Sequence, residues 1–128
     1  MLGQPLVTRA DIPLLGDHNV ANVLAASLAV ASVVPVTAEA RAAIARGIRS
    51  FRGLPHRLEV VAEADGVQWI DDSKATNVSS ARVAIEGMAR PAVVLLGGRH
   101  KGEPYTGLRA ALQQHARLVI AYGESASI

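Results

Sequence analysis

Pro91-Ala92-Val93-Val94-Leu95-Leu96-Gly97-Gly98 is the stretch on which the fold turns. A short apolar run without polar alternation, closed by a glycine pair, has the pattern of a central strand in a parallel sheet, buried on both faces. Upstream of it, Val78, Ala81, Ala84, Ile85 and Met88 recur at helical spacing behind Asn77, which predicts a helix leading into the strand. Further upstream, apolar runs at residues 58–64 and 67–70 flank Asp65-Gly66. Both turn residues tolerate positive φ, so this segment is expected to be a β-hairpin, with Trp69 packing on one of its faces. Downstream, a short helix over 108–114 and a strand over 118–122 complete the run. Strand, helix, strand, helix, strand predicts an open, three-stranded parallel sheet and an α/β fold.

The N-terminal part reads differently. Residues 1–15, punctuated by Pro5 and Pro13, are expected to form short extended pieces and turns. Gly16-Asp17-His18-Asn19 opens a helix over 20–34, with Asp17 or Asn19 as its cap and Pro35 as its stop. Ala, Val and Leu dominate this helix on most sides, so it is expected to be buried between other elements. Thr37 is the expected cap of a second helix over 38–49. Glu39 lies in its first turn, and Arg46 and Arg49 near its end, as the helix dipole prefers. Gly53 and Pro55 mark a boundary or hinge within 51–55.

Composition narrows the function classes. The chain has 128 residues, half of them apolar, a net charge of +2 and no cysteine. A disordered chain, a disulfide scaffold, a cysteine-based zinc site and a cysteine nucleophile are excluded. The spread-out basic residues give a nucleic-acid partner little support. The most apolar stretch, 20–36, is interrupted by Asn22, Ser27, Ser32 and Pro35, short of the ~20 apolar residues a membrane span needs. No export signal is visible, and a cytoplasmic location is expected.

Two polar clusters follow predicted strands. Asp71-Asp72-Ser73-Lys74-Ala75-Thr76-Asn77 precedes a helix whose N-terminal N–H groups suit an anion. Gly97-Gly98-Arg99-His100-Lys101-Gly102 combines glycines, which permit close backbone approach, with a point charge for carboxylate or phosphate. It lacks the GxxxxGK[ST] spacing of a P-loop. Each cluster alone also reads as an ordinary solvated loop, but at successive strand ends of one sheet both would lie on the same edge. Arg57, after His56, is suited to phosphate. Asn19 and Asn22 share a helix face and either read a purine edge or serve as a cap and a self-satisfied amide. His18, His100 and His115 form no metal-ligand spacing, and no metal site is expected.

Together these residues resemble the Mur ligase family. Gly16-x-His18-Asn19-x-x-Asn22 before an Ala-rich helix is similar to the end of that family's central ATPase domain. Phe51-x-Gly53-Leu54-Pro55-His56-Arg57-Leu58-Glu59, Trp69-Ile70-x-Asp72-Ser73-Lys74-Ala75-Thr76-Asn77 and Leu95-Leu96-Gly97-Gly98 with Lys101-Gly102 resemble its D-glutamate-adding branch. The resemblance implies that residues 1–52 end the central domain with two helices. Residues 53–128 then begin an incomplete Rossmann-like C-terminal domain with a β-hairpin and parallel strands.

The implied activity is ATP-dependent addition of D-glutamate to UDP-N-acetylmuramoyl-L-alanine through an acyl phosphate in peptidoglycan synthesis, with Mg²⁺ bridging the phosphates. By position, Asn19, Asn22, His56, Arg57 and Asp72 would meet ATP, and Lys74 would lie near the reacting phosphate. Thr76, Lys101 and Ser73 would hold D-glutamate. Asp71 stands where the family usually has Asn, and His100 where an acidic or small residue is common. With no P-loop in its sequence, the chain by itself is expected not to catalyse, the Mg²⁺ ligands being expected mostly upstream. The alternative reading is a nucleotide- or amino-acid-binding module without catalysis.

Overall fold

In the computed structural model, which describes residues 5–127, two of the helices begin at a residue whose side chain caps them, Thr37 and Asn77. The chain divides into two compact units between Leu54 and Pro55. The expectation of extended pieces and turns at the start of the chain falls partly on residues 1–4, outside the described residues.

The first unit holds a 3₁₀ turn (Arg9–Asp11), α1 (His18–Val33) and α2 (Ala38–Ser50). The Thr37 hydroxyl accepts from the Ala40 N–H and starts α2 as expected. At α1 the capping expectation is corrected. Asp17 occupies the cap position without a side-chain capping bond, and Asn19 instead donates its amide to the Leu15 carbonyl at 2.7 Å. The expected burial of α1 is also corrected. No residue of α1 is buried, and Leu28 is 70% and Val33 80% exposed. A helix that is apolar on most sides needs neighbours on most sides, and the described residues of this unit offer two α-helices and no sheet.

Asp11 draws this unit together. Its carboxylate accepts from the Thr8 N–H at 2.8 Å, the Thr8 hydroxyl at 3.0 Å and Arg49 Nε at 2.8 Å. The Arg49 guanidinium first, and the Thr8 bonds second, hold the Asp11 carboxyl well below the usual carboxylate range.

The second unit opens with a hairpin of β1 (Glu59–Ala64) and β2 (Val67–Asp71). Asp65 (φ 52°) and Gly66 (φ 75°) both take left-handed backbone, as the two-residue turn requires. Trp69 lies in β2 and is 56% exposed. Then come α3 (Val78–Glu86), β3 (Ala92–Gly97), a 3₁₀ turn (Tyr105–Leu108), α4 (Arg109–His115), β4 (Ala116–Tyr122) and a last 3₁₀ turn (Glu124–Ser127). β3 and β4 pair in parallel, with Leu95 opposite Ile120. Ile85, Leu108 and Ala111 form the core, and Val94, Leu96, Ala81 and Tyr105 pack against it.

This α/β arrangement departs from the three-stranded sheet in one respect. Among the described residues, β2 pairs with β1 and β3 with β4, giving two separate two-stranded sheets. β2 (Val67-Gln68-Trp69-Ile70-Asp71) mixes polar with apolar residues and has no buried residue, unlike the continuous apolar run of a buried parallel strand. Nor is β3 a central strand among the described residues: it has one neighbour, and its Leu95 is 63% exposed while Leu96 packs on the core.

The glycine pair after β3 serves the chain itself. A Cβ at Gly97 would collide with the Tyr122 carbonyl oxygen, and Gly98 requires φ 110°. Gly97→Ala is therefore expected to destabilise the second unit by about 1–3 kcal/mol, the usual cost of overpacking. A urea titration checks this, and an unchanged midpoint would contradict it.

Candidate functional site

The loop between β2 and α3 is wound tight by its own backbone. Ala75 N–H donates to Asp72 O at 2.8 Å, and Thr76 N–H to Lys74 O at 2.9 Å. Asn77 then caps α3, its side chain accepting from Ser80 N–H at 2.7 Å. The loop after β3 is tied down at several points. Gly98 O accepts from Ser125 N–H at 3.2 Å and from its hydroxyl at 2.9 Å. The His100 and Tyr105 rings lie 5.5 Å apart between centroids, tilted by 53°. Glu103 Oε2 accepts from the Val78 N–H, at the first turn of α3, at 2.9 Å.

Between these loops lies a cleft of about 200 Å³. Ser73, Thr76 and Asn77 line one side, Arg99, Lys101 and Glu103 the other, over an apolar base of Ala81, Leu96 and Leu108. The sequence expectation that the two clusters share a sheet edge is thus corrected in its route. They meet because α3 packs on β3 through the Leu108 core, not because their strands are neighbours. Of the N–H groups at the start of α3, those of Val78 and Ser80 donate to Glu103 and Asn77, which narrows the expected anion site.

A second constellation surrounds Arg57. His56 (φ 63°) and Leu58 (φ 47°) on either side of it are both left-handed without being glycine. Four hydrogen bonds hold this bend. His56 N–H donates to Glu59 Oε2 at 2.8 Å, and His56 Nδ1–H to Asp71 Oδ2 at 2.8 Å. Leu58 N–H donates to Asp72 Oδ1 at 3.0 Å, and Lys74 N–H to the His56 carbonyl at 3.1 Å.

The His56 bond, followed by the bonds from Ser73, lowers the Asp71 carboxyl from its ordinary value to about 2. A carboxyl lowered on folding lends stability above its unfolded value near 4, and that stability is lost as pH falls towards 2. Asp71→Asn is expected to flatten the acid limb of hairpin stability in that window. Trp69 fluorescence during urea unfolding at several pH values measures it, and an equally steep decline in the variant would contradict the assignment.

The metal-ligating atoms of His56, Glu59 and Asp71 lie within 4.8 Å of one another. They do not fit Mg²⁺, which demands an octahedral oxygen shell. The imidazole is one of the three groups, and both carboxylates already accept from His56.

The expected site residues therefore fall into three places. Ser73, Thr76 and Lys101 line the cleft. His56, Arg57, Asp72 and Lys74 belong to the bend beside β2 and are not part of that lining. Asn19 and Asn22 lie in the first unit, where Asn22 Nδ2 donates to Asn19 Oδ1 at 3.0 Å. Sequence reasoning included Arg99 in the second cluster without giving it a role, and passed over Glu103 and Tyr105 as lining residues. The available signal was their position within a few residues of Lys101 in one glycine-rich bend.

Comparison with known proteins places the chain in a family. Residues 56–127 match the family described as Mur ligase, glutamate ligase domain, and the chain belongs to the Mur ligase family. It is 45% identical over 125 residues to the UDP-N-acetylmuramoylalanine--D-glutamate ligase of Thiobacillus denitrificans, a match covering 97% of this chain and 26% of that protein. Against the ligase of the same name from Acidobacterium capsulatum it is 44% identical over 123 residues, 96% of this chain and 26% of the relative. The corresponding ligase of Pelodictyon phaeoclathratiforme shows 43% identity over 125 residues, 95% and 26%. The chain thus spans about a quarter of the length of the curated relatives it matches. No helix among the described residues is long and apolar enough to cross a membrane.

Proposed function

We propose that this chain is part of an ATP-dependent ligase that joins D-glutamate to UDP-N-acetylmuramoyl-L-alanine in peptidoglycan synthesis, and that the cleft receives D-glutamate. The observation that carries this reading is the meeting of Thr76 and Ser73 with Lys101 and Arg99 around one cleft. A dicarboxylate needs cations for its charge and hydroxyl donors for its remaining lone pairs. The size agrees, since about 200 Å³ is below the ~300–1,000 Å³ of pockets for drug-sized ligands and suits an amino acid, not a nucleoside triphosphate.

In the proposed reaction, ATP phosphorylates the carboxylate of the UDP-linked substrate. The neutral amine of D-glutamate then attacks the acyl carbon, phosphate leaves with the bonding electrons, and the amine nitrogen loses a proton as the amide forms. Thr76, Ser73 and Lys101 hold the D-glutamate carboxylates and leave its amine free. On this reading Arg57, His56 and Asp72 face the nucleotide, Lys74 supplies positive charge near the transferred phosphoryl group, and Asn19 and Asn22 meet adenine. Residues 1–52 would then close the central domain and residues 53–128 open the amino-acid-adding domain, in a cytoplasmic enzyme. The 128-residue chain by itself is expected to form no product. Mg²⁺ would accompany ATP on ligands elsewhere, and no step is assigned to it here.

The test is a titration of the chain with D-glutamate followed by amide NMR. Shifts confined to residues 73–78 and 96–105, and absent with L-lysine, support the cleft assignment. Equal responses to both amino acids, or shifts elsewhere, overturn it.

A further inference from the structure

We propose that Glu103 is a positioning residue of this site, holding the loop that carries Lys101 against the first turn of α3 through its bond to the Val78 N–H. The proposal rests on the reading of the cleft as the D-glutamate site.

Lys101 is presented by a segment with little stiffness of its own. Gly98 and Gly102 flank it, both at positive φ, and glycine leaves the backbone its widest freedom. A lysine on such a segment samples many positions, and a charge that must be gathered from many positions contributes little to binding. Two contacts remove that freedom. On the N-terminal side of Lys101, the His100 ring rests against Tyr105. On the C-terminal side, the Glu103 carboxylate reaches the start of α3 at 2.9 Å. That acceptor is well chosen, because a carboxylate at a helix N-terminus is favoured by the dipole as well as by the hydrogen bond.

The bond has a second consequence. Val78 follows Asn77 and Thr76 directly, so Glu103 links the cationic wall of the cleft to its hydroxyl wall. The separation of Lys101 from Thr76 is then set by a defined contact and not by loop wandering. Because Glu103 takes the Val78 N–H, a dicarboxylate in the cleft is left to Lys101, Arg99 and the hydroxyls. This selects for a ligand whose acidic groups span the two walls.

The experiment has two arms. In the 128-residue chain, hydrogen exchange at the Val78 amide is compared among wild type, Glu103→Ala and Glu103→Gln. Glutamine keeps an acceptor oxygen at the same reach, so protection is expected to fall about tenfold in the alanine variant and to be largely retained in the glutamine variant. In the complete ligase, Glu103→Ala is expected to raise the D-glutamate KM about tenfold, with kcat and the ATP KM within about twofold, and Glu103→Gln to restore most of it. Unchanged Val78 exchange in Glu103→Ala, or equal rises in both KM values, overturns the proposal. If the wild-type ligase does not use D-glutamate, the functional reading fails, while the exchange arm still decides whether Glu103 holds the loop.

Discussion

Arg57→Ala in the complete ligase is expected to lower kcat by roughly 10²–10³-fold, the effect of removing a preorganised donor from developing charge. The argument starts from backbone. Non-glycine residues in left-handed conformation cost about 1–3 kcal/mol each and persist only where the surroundings over-determine them. His56 and Leu58 are both left-handed, and Arg57 is the residue between them. Glu59, Asp71, Asp72 and the Lys74 amide all contribute to fixing that bend. A surface arginine at the start of an ordinary strand would need none of this. Such fixing has a use if the guanidinium must meet a phosphoryl oxygen at a set distance. Arg57→Lys keeps the charge and loses the planar fork, so an intermediate loss is expected. Because Arg57 is outside the cleft lining, the D-glutamate KM is expected to stay within about threefold, a small effect by comparison. Steady-state rates with each substrate varied in turn check both halves. A kcat within twofold of wild type would remove Arg57 from the reaction.

What was legible in the sequence followed from local chemistry. Asp65-Gly66 announced its own turn, because a pair of residues tolerant of positive φ has few other uses between two apolar runs. Thr37 and Asn77 announced their helices, because a hydroxyl or amide oxygen can satisfy N–H groups that the helix cannot. What was not legible depended on partners distant in sequence. The pattern of β2 marks a strand without naming its neighbour, so its separation from β3 was missed. Gly97 was read as room for a ligand, whereas the space goes to the Tyr122 carbonyl. The bend at Arg57 left little trace: histidine is only modestly suggestive of left-handed backbone, and leucine at Leu58 gives no such signal. Glu103 was invisible as a brace for the same reason as β2: its partner, Val78, lies 25 positions away. The family motif placed Thr76 and Lys101 at one site, and the geometry supplied the route by which they meet.

Lys101→Ala in the complete ligase is expected to raise the D-glutamate KM by roughly 10–100-fold while leaving the ATP KM within about twofold. A hydrogen bond to a charged group contributes about 1.5–3 kcal/mol, which converts to that range. On the proposed reading the loss falls on the amino acid and not the nucleotide, because Lys101 lines a space of about 200 Å³ that the hydroxyls of Ser73 and Thr76 also line. Thr76→Ala removes a neutral donor and is expected to raise the same KM by only about 2–10-fold. The pair supplies a sharper check than either alone. If both side chains hold one ligand, the double variant departs from additivity by more than about 0.5 kcal/mol, as residues sharing a partner do. Strict additivity, or a Lys101 effect confined to ATP, would mean that the two walls of the cleft serve different ligands. The common feature of the site would then be its fold and not its substrate.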